Sequence, residues 1–78
     1  RTVIRFALPE PQNVELLVYN LAGQKVTTLV SGTREAGLYT INWDGLNDDG
    51  QALASGIYLY RLRLGSGMEQ TRKVVLLQ

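Results

Sequence analysis

The 78-residue chain contains no cysteine and no histidine. It can therefore form neither a disulfide nor a thiolate metal site, and it lacks the commonest general base and zinc ligand. Eight Lys and Arg stand against seven Asp and Glu, so the strong basic field typical of nucleic-acid binding is missing. No apolar run reaches the roughly 20 residues of a membrane span, and no signal peptide opens the chain. We predict no nucleic-acid binding, no membrane insertion and no cofactor.

Length sets a further limit on function. At this size folding buries only roughly 60% of the surface that the unfolded chain exposes, which leaves no room for a deep active-site cleft. We therefore predict one domain over residues 1–78 and no enzyme activity. The chain opens at Arg1, without Met and already inside a strand-like pattern, and we expect it to be a fragment of a longer protein.

Helical spacing of apolar residues is also missing, whereas alternation of apolar and polar residues recurs along the chain. Six segments are predicted as strands: 2–8, 14–20, 25–30, 38–43, 57–64 and 69–78. The turns between them include "LAGQ" with Gly23, "SGTREAG", and "GSG" at 65–67. The pattern predicts an all-β antiparallel sandwich of six strands, or of seven if Gln51–Leu53 forms another.

The alternation also assigns the buried face of each strand. The predicted core comprises Ile4, Phe6, Leu16, Val18, Ile41, Trp43, Tyr58, Tyr60 and Leu62. Arg61 and Arg63 mark the solvent side of the fifth strand.

The stretch "WDGLNDDG" at 43–50 is an acidic loop with three readings. The EF-hand register fails, because Gly45 falls at its first position and Gly56 at its twelfth. A looser calcium site remains open, and its ligands would be Asp44, Asn47, Asp48 and Asp49. Two-carboxylate hydrolysis needs acids on opposing walls of a cleft, whereas all of these lie in one loop. The composition is explained most simply by a tight turn, because Asn, Asp and Gly cap their own backbone.

The following stretch, "ASGIYLY", has the pattern of a tyrosine corner in an immunoglobulin-like sandwich. Gly56 would lie at the corner and Tyr58 would hydrogen-bond back to the upstream backbone. Tyr60 would occupy the position where antibody domains carry a cysteine. The alternative is that both tyrosines are simply half-buried strand residues, which their β-propensity would explain.

The order of "VYNLAGQKV", "WDG", "SGIYLYRL" and "RKVVLL" resembles the type A C-terminal sorting domains of the type IX secretion system. It is similar also to the immunoglobulin-like domain of the flagellar hook-capping protein. The family's structural motif falls on Gly23, Trp43, Asp44, Gly45, Gly56 and Tyr58. Relatives usually carry an Asn-Pro-Phe-Asn-Pro-like segment before the first strand, and this chain starts after it.

The resemblance implies an immunoglobulin-like antiparallel sandwich with a non-catalytic sorting and anchoring function. A cargo domain would precede it on the same chain, and its partners would be the type IX translocon and a cell-surface sortase. The protein would be secreted or held at the outer cell surface of a Gram-negative bacterium, reached through the periplasm. The family's terminal motif falls on Lys73 followed by Val74, Val75, Leu76 and Leu77, which would form the recognition segment. Strand addition offers a way to read it.

Two other classes of function remain open. One is a structural spacer or assembly domain of an extracellular or hook-cap-like protein, in which Lys73 is an edge charge that discourages aggregation and 74–77 is a core strand. The other is a carbohydrate-binding module. The alternation disfavours the latter, because it places Tyr39, Trp43, Tyr58 and Tyr60 in the core and leaves only Tyr19 free to stack.

Overall fold

A computed structural model describes residues 2–78, and all regular structure in that range is β. The strands are β1 Thr2–Leu8, β2 Gln12–Tyr19, β3 Lys25–Arg34, β4 Gly37–Trp43, β5 Gly56–Leu64 and β6 Glu69–Leu76. β1 and β4 form a two-stranded sheet, and the other sheet has the order β3-β2-β5-β6. All pairings are antiparallel. The predicted all-β sandwich of six strands is confirmed. Within residues 2–78 we find no helix long and apolar enough to cross a membrane.

Alternating side chains bring the two sheets together. Along β1, Ile4 and Leu8 are buried while Val3 and Arg5 are exposed, as the period of two predicts. Along β5, Tyr58, Leu62 and Leu64 are buried. The inner faces therefore meet as two apolar layers, and charged side chains remain on the outside.

The core consists of two clusters of buried side chains. One contains Ile4, Leu8, Val14, Leu16, Val30, Leu62 and Leu64. The other contains Val18, Trp43, Tyr58, Val74 and Leu76. Of the nine predicted core residues, Phe6, Ile41 and Tyr60 are partly buried and pack against these clusters, and the others are buried. The face assignments are therefore confirmed.

Strand ends differ from the predicted ones by up to two residues, as where β2 begins at Gln12 and β6 ends at Leu76, and three larger details also differ. β3 continues to Arg34, because Gly32, Thr33 and Arg34 pair with the start of β2, so the predicted turn "SGTREAG" shrinks to the two residues between β3 and β4. Gln51–Leu53 forms no seventh strand, since only Ala52 makes an isolated bridge, to Leu46. The apolar run 74–77 is not wholly core, because Val75 and Leu77 are 56% and 71% exposed.

Candidate functional site

The predicted tyrosine corner is present at the start of β5. The Tyr58 hydroxyl donates to the carbonyl of Ala54 at 2.7 Å, and Gly56 between them has φ 156°, which L side chains rarely adopt. The Tyr58 ring meets Trp43 edge-on, with centroids 5.3 Å apart and planes at 83°. Trp43 Nε1 donates to the Leu46 carbonyl at 3.1 Å. Trp43 and Tyr58 thus anchor the two ends of the connection between β4 and β5 to the core.

A second corner of the same kind opens β4 and was not predicted. The Tyr39 hydroxyl donates to the carbonyl of Glu35, again four residues upstream, at 2.6 Å, and Gly37 has φ 148°. The Tyr39 ring stacks on Phe6, with centroids 5.1 Å apart. The signal was in the sequence, because "GLY" at 37–39 repeats the Gly-x-Tyr spacing of "GIY" at 56–58.

The acidic loop is a turn held by Asn47. Its Oδ1 accepts from the backbone N–H of Asp49 at 3.0 Å and of Gln51 at 2.9 Å, while Gly50 takes φ 79°. Asp44 makes a similar short-range bond, since its Oδ1 accepts from the Leu46 N–H at 3.1 Å. These are the self-capping bonds that favour Asn, Asp and Gly in turns. The turn reading accounts for the loop's composition.

Asp48 ties the acidic loop to β3. The Thr28 N–H and the Thr27 hydroxyl both donate to Asp48 Oδ1, at 3.1 and 2.9 Å. These bonds, with the nearby Lys25 ammonium, hold the pKa of Asp48 below its ordinary value. The Asp48 N–H donates in addition to the Val26 carbonyl at 3.0 Å. A carboxyl group with a lowered pKa stays ionised at neutral pH and is a poor general acid.

The turn between β2 and β3 has the same internal bonds as the acidic loop, a likeness that was not predicted. Asn20 Oδ1 accepts from the N–H of Ala22 and of Gln24, both at 3.0 Å, and Gly23 has φ 83°. Asn20 Nδ2 donates to Gln24 Oε1, as Asn47 does to Gln51. The shared signal is Asn-x-x-Gly-Gln, read as "NLAGQ" and "NDDGQ". The two turns flank an open groove of about 500 Å³.

Three of the four suggested calcium ligands accept hydrogen bonds within the protein. Asp44, Asn47 and Asp48 each use Oδ1 to accept a backbone N–H. Within the described part of the chain, no three His, Cys, Asp or Glu side chains lie where they could hold a metal ion together. The arrangement gives no support to the calcium site at Asp44, Asn47, Asp48 and Asp49.

Gly45 of the "WDG" segment lies under residues 76–78. Its φ of 81° favours glycine, and a Cβ there would be only 2.9 Å from Leu76 Cδ1. Gln78 Nε2 donates to the carbonyls of Gly45 and Leu53 at 3.3 and 3.0 Å, and the Gln78 N–H donates to Ser55 Oγ at 2.8 Å. The segment after β6 is therefore bound to the loop between β4 and β5.

The predicted recognition segment runs along β6, an edge strand of the four-stranded sheet. Val74 and Leu76 point into the core, while Lys73, Val75 and Leu77 are exposed. The Thr2 hydroxyl donates to the Val75 carbonyl at 2.7 Å. Buried and exposed residues thus alternate along the segment, and only the exposed ones are available on the surface.

The aromatic side chains make most of their contacts within the domain. Tyr19 was expected to be free, but the Arg61 guanidinium lies over its ring, 5.0 Å from the centroid. Tyr39 and Tyr60 are half-buried against the core, as the alternation predicted. The Arg61 guanidinium therefore covers a face of the one aromatic side chain that the carbohydrate-binding hypothesis left available.

The chain matches one family model, described as FlgD Ig-like domain, over residues 1–67. No curated protein and no solved structure matches it. The matched range contains both corners, both Asn-x-x-Gly-Gln turns and the "WDG" segment, and it ends before Lys73. The match supports an immunoglobulin-like fold related to that of the hook-capping protein, in a family that is generally non-catalytic. It lends no support to type IX sorting.

Proposed function

Because this chain belongs to the FlgD Ig-like domain family, we propose that it is a non-catalytic structural module, a spacer or assembly domain of an extracellular, hook-cap-like protein. One observation supports this proposal: the residues of the family motif form turns and core contacts that stabilise the domain. Gly23 serves a turn, Gly45 packs under Leu76, and Trp43 and Tyr58 fill the core. The one carboxylate of the motif, Asp44, accepts the Leu46 N–H within its own turn.

Domain replacement in the parent protein tests this function. The domain measures 35 × 21 × 21 Å, and an unrelated immunoglobulin-like sandwich of similar length would preserve that span. We expect the replaced protein to assemble at the parental level. The matched control is Trp43→Ala in the native domain. The protein carrying it should fail to assemble, because loss of the indole ring from the core unfolds the domain. A replaced protein that is folded and abundant but unassembled would show that a specific surface, and not a span, is required.

A second candidate function is sorting, and the placement of β6 favours it. β6 is an edge strand with an exposed lysine, so a translocon could engage its main chain by strand addition while side chains supply specificity. On this proposal Lys73, Val75 and Leu77 contact the translocon or sortase, whereas Val74 and Leu76 keep the strand in place. The cargo would then be carried through the periplasm to the cell surface.

The test of sorting is a charge reversal on a passenger fused to the domain in a host with a type IX system. Lys73→Glu should impair surface delivery, yet it should change the unfolding free energy by no more than about 0.5 kcal/mol, because the side chain is exposed. Arg5→Glu is the matched control, since Arg5 is also exposed and lies on β1 in the other sheet. If both variants are delivered to the surface at the parental level, Lys73 has no recognition role.

A further inference from the structure

We propose that the outer edge of β6 is a self-pairing surface, on which a second copy of this chain docks strand to strand, antiparallel and centred on Thr71. The paired segment is Glu69–Lys73, all of it exposed. The inference is independent of the proposed function, because the surface is defined by the domain alone.

The hydrogen-bond pattern shows which main-chain groups face outward. The Leu64 N–H, at the end of β5, donates to the carbonyl of Met68, which directly precedes β6. Met68 therefore faces β5. In an antiparallel ladder every second residue then bonds the same neighbour, so Gln70 and Arg72 face β5. The N–H and C=O groups of the residues between them point to the open edge. The bond from Thr2 to the Val75 carbonyl follows the same alternation.

Glu69, Thr71 and Lys73 therefore present their main chain outward. No strand pairs with this side of β6 in the described part of the chain, and no described residue hydrogen-bonds these three N–H and C=O groups. The same edge meets β1 further along, where the Thr2 hydroxyl bonds the Val75 carbonyl, so the stretch open to a second strand is Glu69–Lys73.

The segment "EQTRK" is complementary to itself when reversed. Antiparallel pairing centred on Thr71 sets Glu69 of one copy opposite Lys73 of the other, twice over because of the two-fold symmetry. Gln70 lies opposite Arg72, and Thr71 opposite Thr71. Opposite charges and Thr–Thr pairs are favourable across strands. This register also places the outward-facing residues against each other, so the three facing pairs can form about six main-chain hydrogen bonds.

The Glu69 side chain has room for this contact. It is 50% exposed, and on the β5 side its Oε1 and Oε2 lie 3.9 and 3.3 Å from Arg61 Nε and Arg63 Nε. Lys73 of a second copy would approach from the open side of β6. The other edge strands are less suited, because none carries charges of both signs: β1 has Arg5, β3 has Lys25 and Arg34, and β4 has no charged residue. The charge pattern thus selects β6 and a second copy of the same strand.

Two five-residue segments bury less than the roughly 1,200 Å² of stable interfaces, so we expect a weak dimer, with a Kd on the order of 0.1 to 1 mM. Sedimentation velocity and amide NMR spectra of the 78-residue chain, from about 0.02 to 2 mM, should detect it. We expect concentration-dependent shifts at the N–H groups of Glu69, Thr71 and Lys73. A chain that stays monomeric throughout, or shifts confined to β3 or β4, would overturn the proposal.

Charge variants test the register. Lys73→Glu and Glu69→Lys each set like charges opposite one another, and each should raise Kd roughly tenfold or more. The double variant Glu69→Lys with Lys73→Glu restores opposite charges and should return Kd to within about threefold of the parent. Arg5→Glu, on the other sheet, should leave Kd unchanged. If the double variant is folded and does not recover association, the register is wrong.

Thr71→Pro provides a test that does not depend on charge. Its N–H points outward, so proline removes no bond to β5, and edge strands tolerate proline at such positions. We expect a cooperative melt within a few degrees of the parent and no detectable dimer. A folded Thr71→Pro variant that still dimerises would refute pairing at β6. In the export assay the double variant distinguishes self-pairing from translocon recognition, because it retains the opposite charges for pairing but has an acidic residue at position 73. Normal pairing with impaired export would assign Lys73 to recognition.

Discussion

The two tyrosine corners allow the contribution of a corner hydrogen bond to be measured within one domain. Tyr58→Phe removes the hydroxyl that donates to Ala54 and leaves the ring against Trp43. Tyr39→Phe removes the equivalent bond to Glu35. The substitutions are chemically identical and the bonds span the same number of residues. The sites differ in burial, since Tyr58 is 8% exposed and Tyr39 is only partly buried.

The difference in burial sets the expected magnitudes. A neutral hydrogen bond contributes about 1 ± 0.5 kcal/mol net, more where water cannot replace the lost partner. We expect Tyr58→Phe to lower the unfolding free energy by about 1 to 1.5 kcal/mol, and Tyr39→Phe by about 0.5 kcal/mol or less. For a domain of this size, 1 kcal/mol shifts Tm by about 4 to 8 °C.

Trp43 supplies the assay, because it is the only tryptophan and is buried. Its fluorescence during urea unfolding should report the whole domain in one transition, with unchanged m-values for both variants. Equal losses at Tyr58 and Tyr39 would refute the reasoning, because burial would then not decide the strength of the corner.

Four further predictions concern the core and the acidic loop. Gly45→Ala should lower the unfolding free energy in urea by about 2 kcal/mol or more, since the new Cβ would contact Leu76 and the alanine would have to adopt a positive φ. Gly50→Ala is the control: it requires a similar φ but has open space around the Cβ, and it should lower the unfolding free energy by about 1 kcal/mol. Trp43→Ala should cost about 3 to 5 kcal/mol, and a cooperative melt in that variant would count against the core assignment. The Asp48 carboxylate stabilises the fold above its unfolded pKa of about 3.9 and loses that effect as the pH falls through its lower folded pKa. Below about pH 4.5, stability should therefore fall less steeply in Asp48→Asn than in the parent. Melts in chelator and in excess calcium should superimpose; a rise of several degrees with calcium would restore the loop site.

Strand positions and buried faces could be predicted because each depends on a local pattern. Ile4 and Tyr58 lie where a period of two places them, and Gly23 takes the positive φ that its turn requires. The end of β3 was missed because Gly32 reads as a turn residue, while its pairing with Val14 is set by tertiary structure. Composition alone cannot distinguish a glycine in a turn from one in a paired strand.

The environment of Tyr19 could not be predicted from its own strand. The Arg61 side chain that covers it comes from β5, and only the pairing of β2 with β5 brings the two together. The contact between Gly45 and Leu76 is likewise long-range. The repeated Gly-x-Tyr and Asn-x-x-Gly-Gln spacings, by contrast, are present in the sequence, so the second corner and the second turn could have been predicted.

The docking of residues 76–78 on the loop between β4 and β5 has a kinetic consequence. Leu76 and Val74 complete the cluster around Trp43, and Gln78 occupies carbonyls that would otherwise be left to water. Because these contacts join distant parts of the chain, folding of this domain should be slow for its length. A nascent chain that has not yet supplied β6 cannot close its second cluster. During synthesis the second cluster therefore stays open until β6 has been made, and the domain cannot complete its fold strand by strand as the chain emerges.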